Sequence, residues 1–231
     1  MNESPQILVL AAPSPGTTAR GFTIVELLMV IAIMALIVGL CNPSTSALQK
    51  SLQLTQATQM VGSQLELARQ MATTRNHPVE VRFYQFGDPQ TPGEQASNPA
   101  SGKYRALQSF EVLESGTPKA LGKVLYLPAS VIIDSGVALS SLIGSAQPSP
   151  FVPTTSEGTA NGSIPHAQNA YNLVSFRFQP DGSTNLPKTS EQQWFLTLHY
   201  KFDGNGLSSP PKNFSTLQIN ASNGHIKSFR P

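Results

Sequence analysis

Glu26 is the side chain whose position demands a chemical explanation. It follows Gly21-Phe22-Thr23-Ile24-Val25 and is the only charge in an apolar run from Phe22 to Leu40. As a helix this run is about 29 Å long at roughly 1.5 Å per residue, close to the hydrocarbon thickness of a bilayer. It therefore reads as a membrane span. A carboxylate inside such a span costs on the order of 3 kcal/mol by insertion scales and needs a partner. The nearest chemistry that supplies one is an α-amino group. A cut between Gly21 and Phe22 would leave that amine on Phe22, and Glu26 could neutralise it in its own chain or in a neighbour's.

The remaining chemistry-bearing residues are dispersed. The histidines are His77, His166, His199 and His225. None has metal-ligand spacing with a second histidine or a cysteine. His199 falls on the polar side of its expected strand, opposite Trp194, and is expected at the surface. Asp203-Gly204-Asn205-Gly206 begins as a calcium loop begins, but no later acidic ligand follows, so a hairpin turn is expected. Cys41 is the single cysteine, which excludes an intramolecular disulfide. No nucleophile elbow and no phosphate-binding glycine loop is present. No enzyme, no cofactor and no metal site is expected. Lys201, Lys212, Lys227 and Arg230 are spread through the last segment with Asp203 among them, and solvated surface is their expected role.

The 231 residues suffice for a membrane helix and one soluble domain. The net charge of +2 is too mild to argue for nucleic acid, and only 12% of residues are charged. Past Pro43, which is expected to kink or locally melt the helix, Ser44-Thr45-Ser46 can cap a continuation. Leu54, Ala57, Val61, Leu65, Ala68 and Ala72 then recur at helical spacing on one face. Asn76-His77-Pro78 ends the helix. The period switches to two in Val79, Val81 and Phe83, alternating with Glu80, Arg82 and Tyr84, which reads as a half-buried strand. Further strands are expected over Tyr104–Leu113, Lys123–Leu127, Val131–Ile133, Val174–Phe178, Trp194–Phe202, Phe214–Ile219 and Ile226–Phe229. Gly87–Gly102 and 140–172 read as loops, the second flexible and long for a compact domain. One long helix followed by consecutive strands predicts an α+β fold, the helix packed on an antiparallel sheet.

Gly21-Phe22-Thr23-Ile24-Val25-Glu26 resembles the cleavage and methylation motif of type IV pilins and of the pseudopilins of type II secretion. The resemblance implies cleavage after Gly21 by a prepilin peptidase, N-methylation of Phe22, and a role for Glu26 in docking subunits into a helical filament. Pro43 stands where many pilins carry a proline. An ordinary secretory signal fits less well, since its apolar core is shorter and excludes a glutamate near its start. A lipoprotein signal ending at Cys41 would need a small residue where Leu40 stands.

A second likeness lies downstream. Gln64 to Ala72, Asn76 to Val81, Phe178 to Ser183 and Asn223 to Ile226 are similar to segments of the minor pilin-like group containing pseudopilin H and FimT. Pro78 to Tyr84, Tyr104 to Gln108, Phe176 to Phe178 and Trp194 to Leu198 resemble the narrower Verru_Chthon cassette protein D family. The implied organisation is a leader over 1–21, a membrane helix over 22–40, an amphipathic continuation over 41–76 and a β-rich periplasmic or extracellular domain over 77–231. The implied function is a minor structural subunit of a type IV pilus or secretion-like filament in the cytoplasmic membrane. The alternative is a FimT-like DNA-binding subunit using Lys212, Lys227 and Arg230.

Overall fold

The structure is a computed structural model that describes residues 21–95, 97–143, 171–188 and 193–231. The side chains of residues 40–48 and of Pro99 are outside that description. So are the expected leader up to Arg20 and residues 144–170 of the loop expected over 140–172. The chain divides after Thr45 into two compact units.

Helix α1 spans Ile24–Arg75. Its first part carries exposed apolar side chains all round, from Ile24 through Val38. A helix that is apolar on every side belongs in an apolar surrounding. Among the described residues, no helix is long and apolar enough to cross a membrane. The described side chains of the expected span stop at Gly39. The interruption expected at Pro43 is not seen as a break, because α1 is one element through that position. A proline removes a single backbone donor and crowds a single carbonyl, so the neighbouring turns can continue past it.

The second unit is built around the other part of α1. Leu54, Ala57, Val61, Leu65, Ala68 and Ala72 are all buried and share one cluster with strand residues Val79, Val81, Phe83, Phe176, Phe178, Leu196 and Leu217. The helix ends as Asn76 turns left-handed, with φ 55°, a conformation asparagine tolerates just past a helix. The strands are β1 Val79–Phe86, β2 Lys103–Val112, β3 Pro118–Ala120, β4 Leu125–Tyr126, β5 Val131–Ile133, β6 Asn172–Phe178, β7 Trp194–Tyr200, β8 Phe214–Ile219 and β9 Ile226–Phe229. They form one antiparallel sheet in the order β6-β1-β2-β5-β7-β8-β9, with β3 and β4 also paired to β2. The α+β fold is that expected from the sequence.

The expectations for β1, β3 and β7 change. β1 is buried on both faces, not one: Glu80, Arg82 and Tyr84 are as covered as Val79 and Val81. Their charges are satisfied within the sheet. Arg82 Nε donates to Glu80 at 2.6 Å, and Arg177 reaches the other Glu80 oxygen at 2.8 Å. The Arg82 guanidinium lies 4.4 Å from the Phe110 ring centroid. Strand β3, begun by a proline, had no sequence signal, and β7 ends at Tyr200 in a 3-10 turn over Lys201–Asp203. The 87–102 segment is a loop, as expected, and ion pairs tie it to β2. Arg105 binds Glu94 at 2.7 Å and Asp88 at 3.3 Å, and Lys103 reaches Glu94 at 3.4 Å.

Candidate functional site

The site begins at the start of α1. Thr23 caps the helix: its carbonyl accepts the Leu27 N–H at 3.1 Å. Its hydroxyl accepts the Glu26 N–H at 3.2 Å. In return, the Glu26 carboxylate accepts the Thr23 N–H at 3.4 Å and its hydroxyl at 3.3 Å. This reciprocal pairing of a threonine N-cap with a glutamate three residues on is a capping box. It satisfies donors that a helix start otherwise leaves without partners, and it sets negative charge at the positive end of the helix dipole.

Reading Glu26 only as a charge in an apolar run overlooks Thr23. The signal for it was present as Thr-x-x-Glu ahead of an apolar stretch. Its consequence is geometric. The carboxylate is folded back to the Thr23 backbone nitrogen, one residue past the Phe22 nitrogen that a cut after Gly21 would free. Gly21 and Phe22 are exposed, Phe22 by 80%, and nothing approaches within 4 Å of where a Gly21 Cβ would stand. Pro43 lies within α1 well down the chain from this group.

The other candidates resolve into supports for the fold. His199 is not at the surface. It and Asp134 are both 0% exposed, joined Nε2 to Oδ2 at 2.9 Å, and His199 Nδ1 faces the Tyr200 carbonyl at 3.0 Å. Asp134 also accepts the Gly136 N–H at 2.7 Å and the Leu207 N–H at 3.3 Å. Burial works against the charge on Asp134. The hydrogen bonds from His199, Gly136 and Leu207, with the histidine charge, outweigh it and hold the carboxyl below the ordinary carboxylate value. With both ring nitrogens occupied and no solvent access, this pair cannot pass a proton to a bound molecule.

Asp203–Gly206, expected as a hairpin turn, is instead part of the longer 201–213 connection between β7 and β8, and it meets the backbone beside Asp134. Asn205 Oδ1 accepts the Ser135 N–H at 3.0 Å, so that oxygen is already used. Among the described residues no group of three or more metal-ligating side chains converges.

Of the basic residues named for nucleic acid, Lys212 and Arg230 both lie by Asn213, and Lys227 borders a different hollow. Arg230 turns onto α1, donating to Ser51 Oγ at 2.8 Å and to the Thr55 hydroxyl, with Asn213 at 3.4 Å. Lys212 borders a hollow with Lys50, Tyr200 and Asp203. Lys227 borders a different hollow with Lys188, Gln218 and Asn220.

A family model described as the prokaryotic N-terminal methylation motif matches residues 17–41, which contain Gly21, Phe22 and Glu26. Among curated proteins none matches the chain. Solved structures similar to it include the type IV minor pilin FimU of Pseudomonas aeruginosa strain PAO1. That likeness has 12% identity over 77% of this chain and 92% of that one, with a TM-score of 0.39. A second is the minor pseudopilin EpsH of the type 2 secretion system of Vibrio cholerae. It has 10% identity over 78% of this chain and 98% of that one, with a TM-score of 0.40. At scores of this size neither likeness adds to the fold described above. What the comparisons establish is that the chain bears the prokaryotic N-terminal methylation motif across the start of α1.

Proposed function

We propose that the chain is a pilin-like structural subunit, cut between Gly21 and Phe22 by a prepilin peptidase, N-methylated on Phe22, and assembled through the first part of α1 into a filament. The observation that carries this reading is the Glu26 carboxylate. It lies within the matched methylation motif, in the otherwise apolar run from Phe22 to Leu40, and is held beside the Thr23 backbone nitrogen, next to Phe22. Cleavage would give it a cationic partner at short range. A neighbour's amine could take the same place in a filament, which would remove the cost of a lone carboxylate among apolar helices.

Before assembly the apolar run from Phe22 to Leu40 anchors the chain in the cytoplasmic membrane, with the β-rich unit outside the cytoplasm. Arg20, just before the run, fits a cytoplasmic leader. On the likeness of its later segments to the pseudopilin H and FimT group and to Verru_Chthon cassette protein D, the subunit is a minor one. It serves a type IV pilus or a type II secretion-like filament.

The test is the intact mass and N-terminal sequence of the protein purified from membranes. A mature chain beginning at methylated Phe22 is the expected result. A chain beginning at Met1, or cut beyond Leu40, would show that the motif is not used as a processing signal, and the filament reading would go with it.

A further inference from the structure

We propose that the hollow at the β8–β9 end of the sheet binds an acidic oligosaccharide, a short glycan carrying uronic-acid carboxylates. The proposal stands apart from the subunit reading, because every residue it uses belongs to the second unit. The hollow has a volume of about 620 Å³ and is bordered by Lys188, Gln193, Gln218, Asn220, Asn223 and Lys227. Its walls are set by the sheet. Lys227 of β9 pairs across the ladder with Gln218 of β8, so their side chains leave the sheet side by side on one face. On the other wall the Trp194 indole N–H donates to the Pro187 carbonyl at 3.0 Å, which holds the backbone before Lys188 against the start of β7.

The hydrogen bonds already made decide what the hollow can still offer. In the turn after β8, Asn220 Oδ1 accepts the Ser222 N–H and Asn223 Oδ1 accepts the His225 N–H, both at 2.9 Å. Each of these amides keeps its NH2 group to donate. Gln218 Nε2 donates to Gln193 Oε1 at 2.8 Å, which leaves the Gln193 NH2 to donate and the Gln218 oxygen to accept. Two ammonium groups join them. Lys188 and Lys227 are exposed, and neither is in an ion pair among the described residues. Among the described residues no acidic side chain borders the hollow. Asp181 lies outside the lining. Its carboxyl is held low chiefly by hydrogen bonds from Ser183, and in lesser part by the Lys188 charge.

Cations set among amide donors and an acceptor match carboxylates flanked by hydroxyl groups. A single oxyanion would leave most of the space unfilled, since pockets of roughly 300–1,000 Å³ hold drug-sized ligands. Single-stranded nucleic acid would stack its bases on open aromatic faces. Trp194 is 3% exposed and gives no such platform.

The experiment titrates the full chain in detergent micelles with trigalacturonate, read by ligand-observed NMR. Saturable binding is expected with a dissociation constant of roughly 1 mM or lower at low salt, weakening as salt rises. Lys188→Gln combined with Lys227→Gln should weaken it at least about fivefold and leave thermal unfolding unchanged, while Lys119→Gln should bind as wild type does. Maltotriose, with three neutral rings, should bind at least about fivefold more weakly than trigalacturonate. Absence of saturable binding at millimolar trigalacturonate overturns the proposal, and so does equal binding by the double variant. Inorganic phosphate binding as tightly as trigalacturonate overturns the saccharide and leaves a simple anion site. Tighter binding of a thymidine oligonucleotide, lost in the double variant, overturns it too and assigns the hollow to nucleic acid. None of these results alters the N-terminal processing test, so the two readings fail separately.

Discussion

His199 and Asp134 form a buried pair, with Nε2 at Asp134 Oδ2 and Nδ1 at the Tyr200 carbonyl. Removing one member of a buried pair leaves the other charge without compensation, at a cost of about 3–5 kcal/mol. Asp134→Asn should therefore lower stability by about 3 kcal/mol near neutral pH, measured by urea unfolding of the folded chain. The pH dependence follows from the direction of the Asp134 shift. Its carboxyl is lowered in the folded chain, so its contribution is present above the unfolded carboxylate value of about 3.9. That contribution is lost as pH falls through the lower folded value. The gap between wild type and variant should be full near pH 6 and shrink below about pH 4. A gap that stays constant on acidification would show that Asp134 acts as a neutral hydrogen-bond acceptor. Nothing local in the sequence announced the pair, since 65 positions separate its members.

Elements whose character depends on their own residues were legible in the sequence. The apolar stripe from Leu54 to Ala72 and the bounds of β5, β8 and β9 needed only spacing and turn residues. Elements defined by distant partners were not. β1 reads as half-buried because Glu80 and Arg82 alternate with valines, yet Arg177 and Phe110, from other strands, take up that polar side. The segments likened to the pseudopilin H group have a structural meaning: three of them meet at one junction. Arg69 of α1 donates to the Asn223 carbonyl at 3.0 Å, and Gly182 and Gly224 both face Arg69. Gly224 has φ +64°, and a Cβ there would stand 2.4 Å from the Gly182 oxygen and 3.1 Å from Arg69 Cδ and Phe178 Cε1. Gly224→Ala should cost more than the left-handed conformation alone, which is worth about 1–2 kcal/mol. Gly116 is the control: its φ is +79°, but nothing lies within 4 Å. Chemical unfolding of the two variants should separate them by at least about 1 kcal/mol, with Gly224→Ala the weaker. Equal losses would mean that the junction yields at little cost.

At the scale of the whole molecule, the described side chains of the first unit from Phe22 to Val38 include a run of exposed large apolar groups. Contiguous exposed apolar surface of this kind marks a membrane or protein partner. Within one chain, Glu26 needs no ion pair to account for it, because it completes the cap with Thr23. The assembly role proposed for it can therefore be separated from its place in the helix cap. Glu26→Gln keeps an oxygen that can complete the capping box and removes the charge. Helix content and thermal stability of the isolated subunit should stay unchanged, and so should cutting after Gly21. If the carboxylate pairs with a neighbour's Phe22 amine, incorporation into filaments should fall about tenfold or more, since about 1.4 kcal/mol is lost for each tenfold. The comparison is between variant and wild type in the sheared filament fraction, normalised to processed subunit in the membrane. Wild-type incorporation of the glutamine variant would leave Glu26 as a helix cap and remove electrostatic docking from the assembly mechanism.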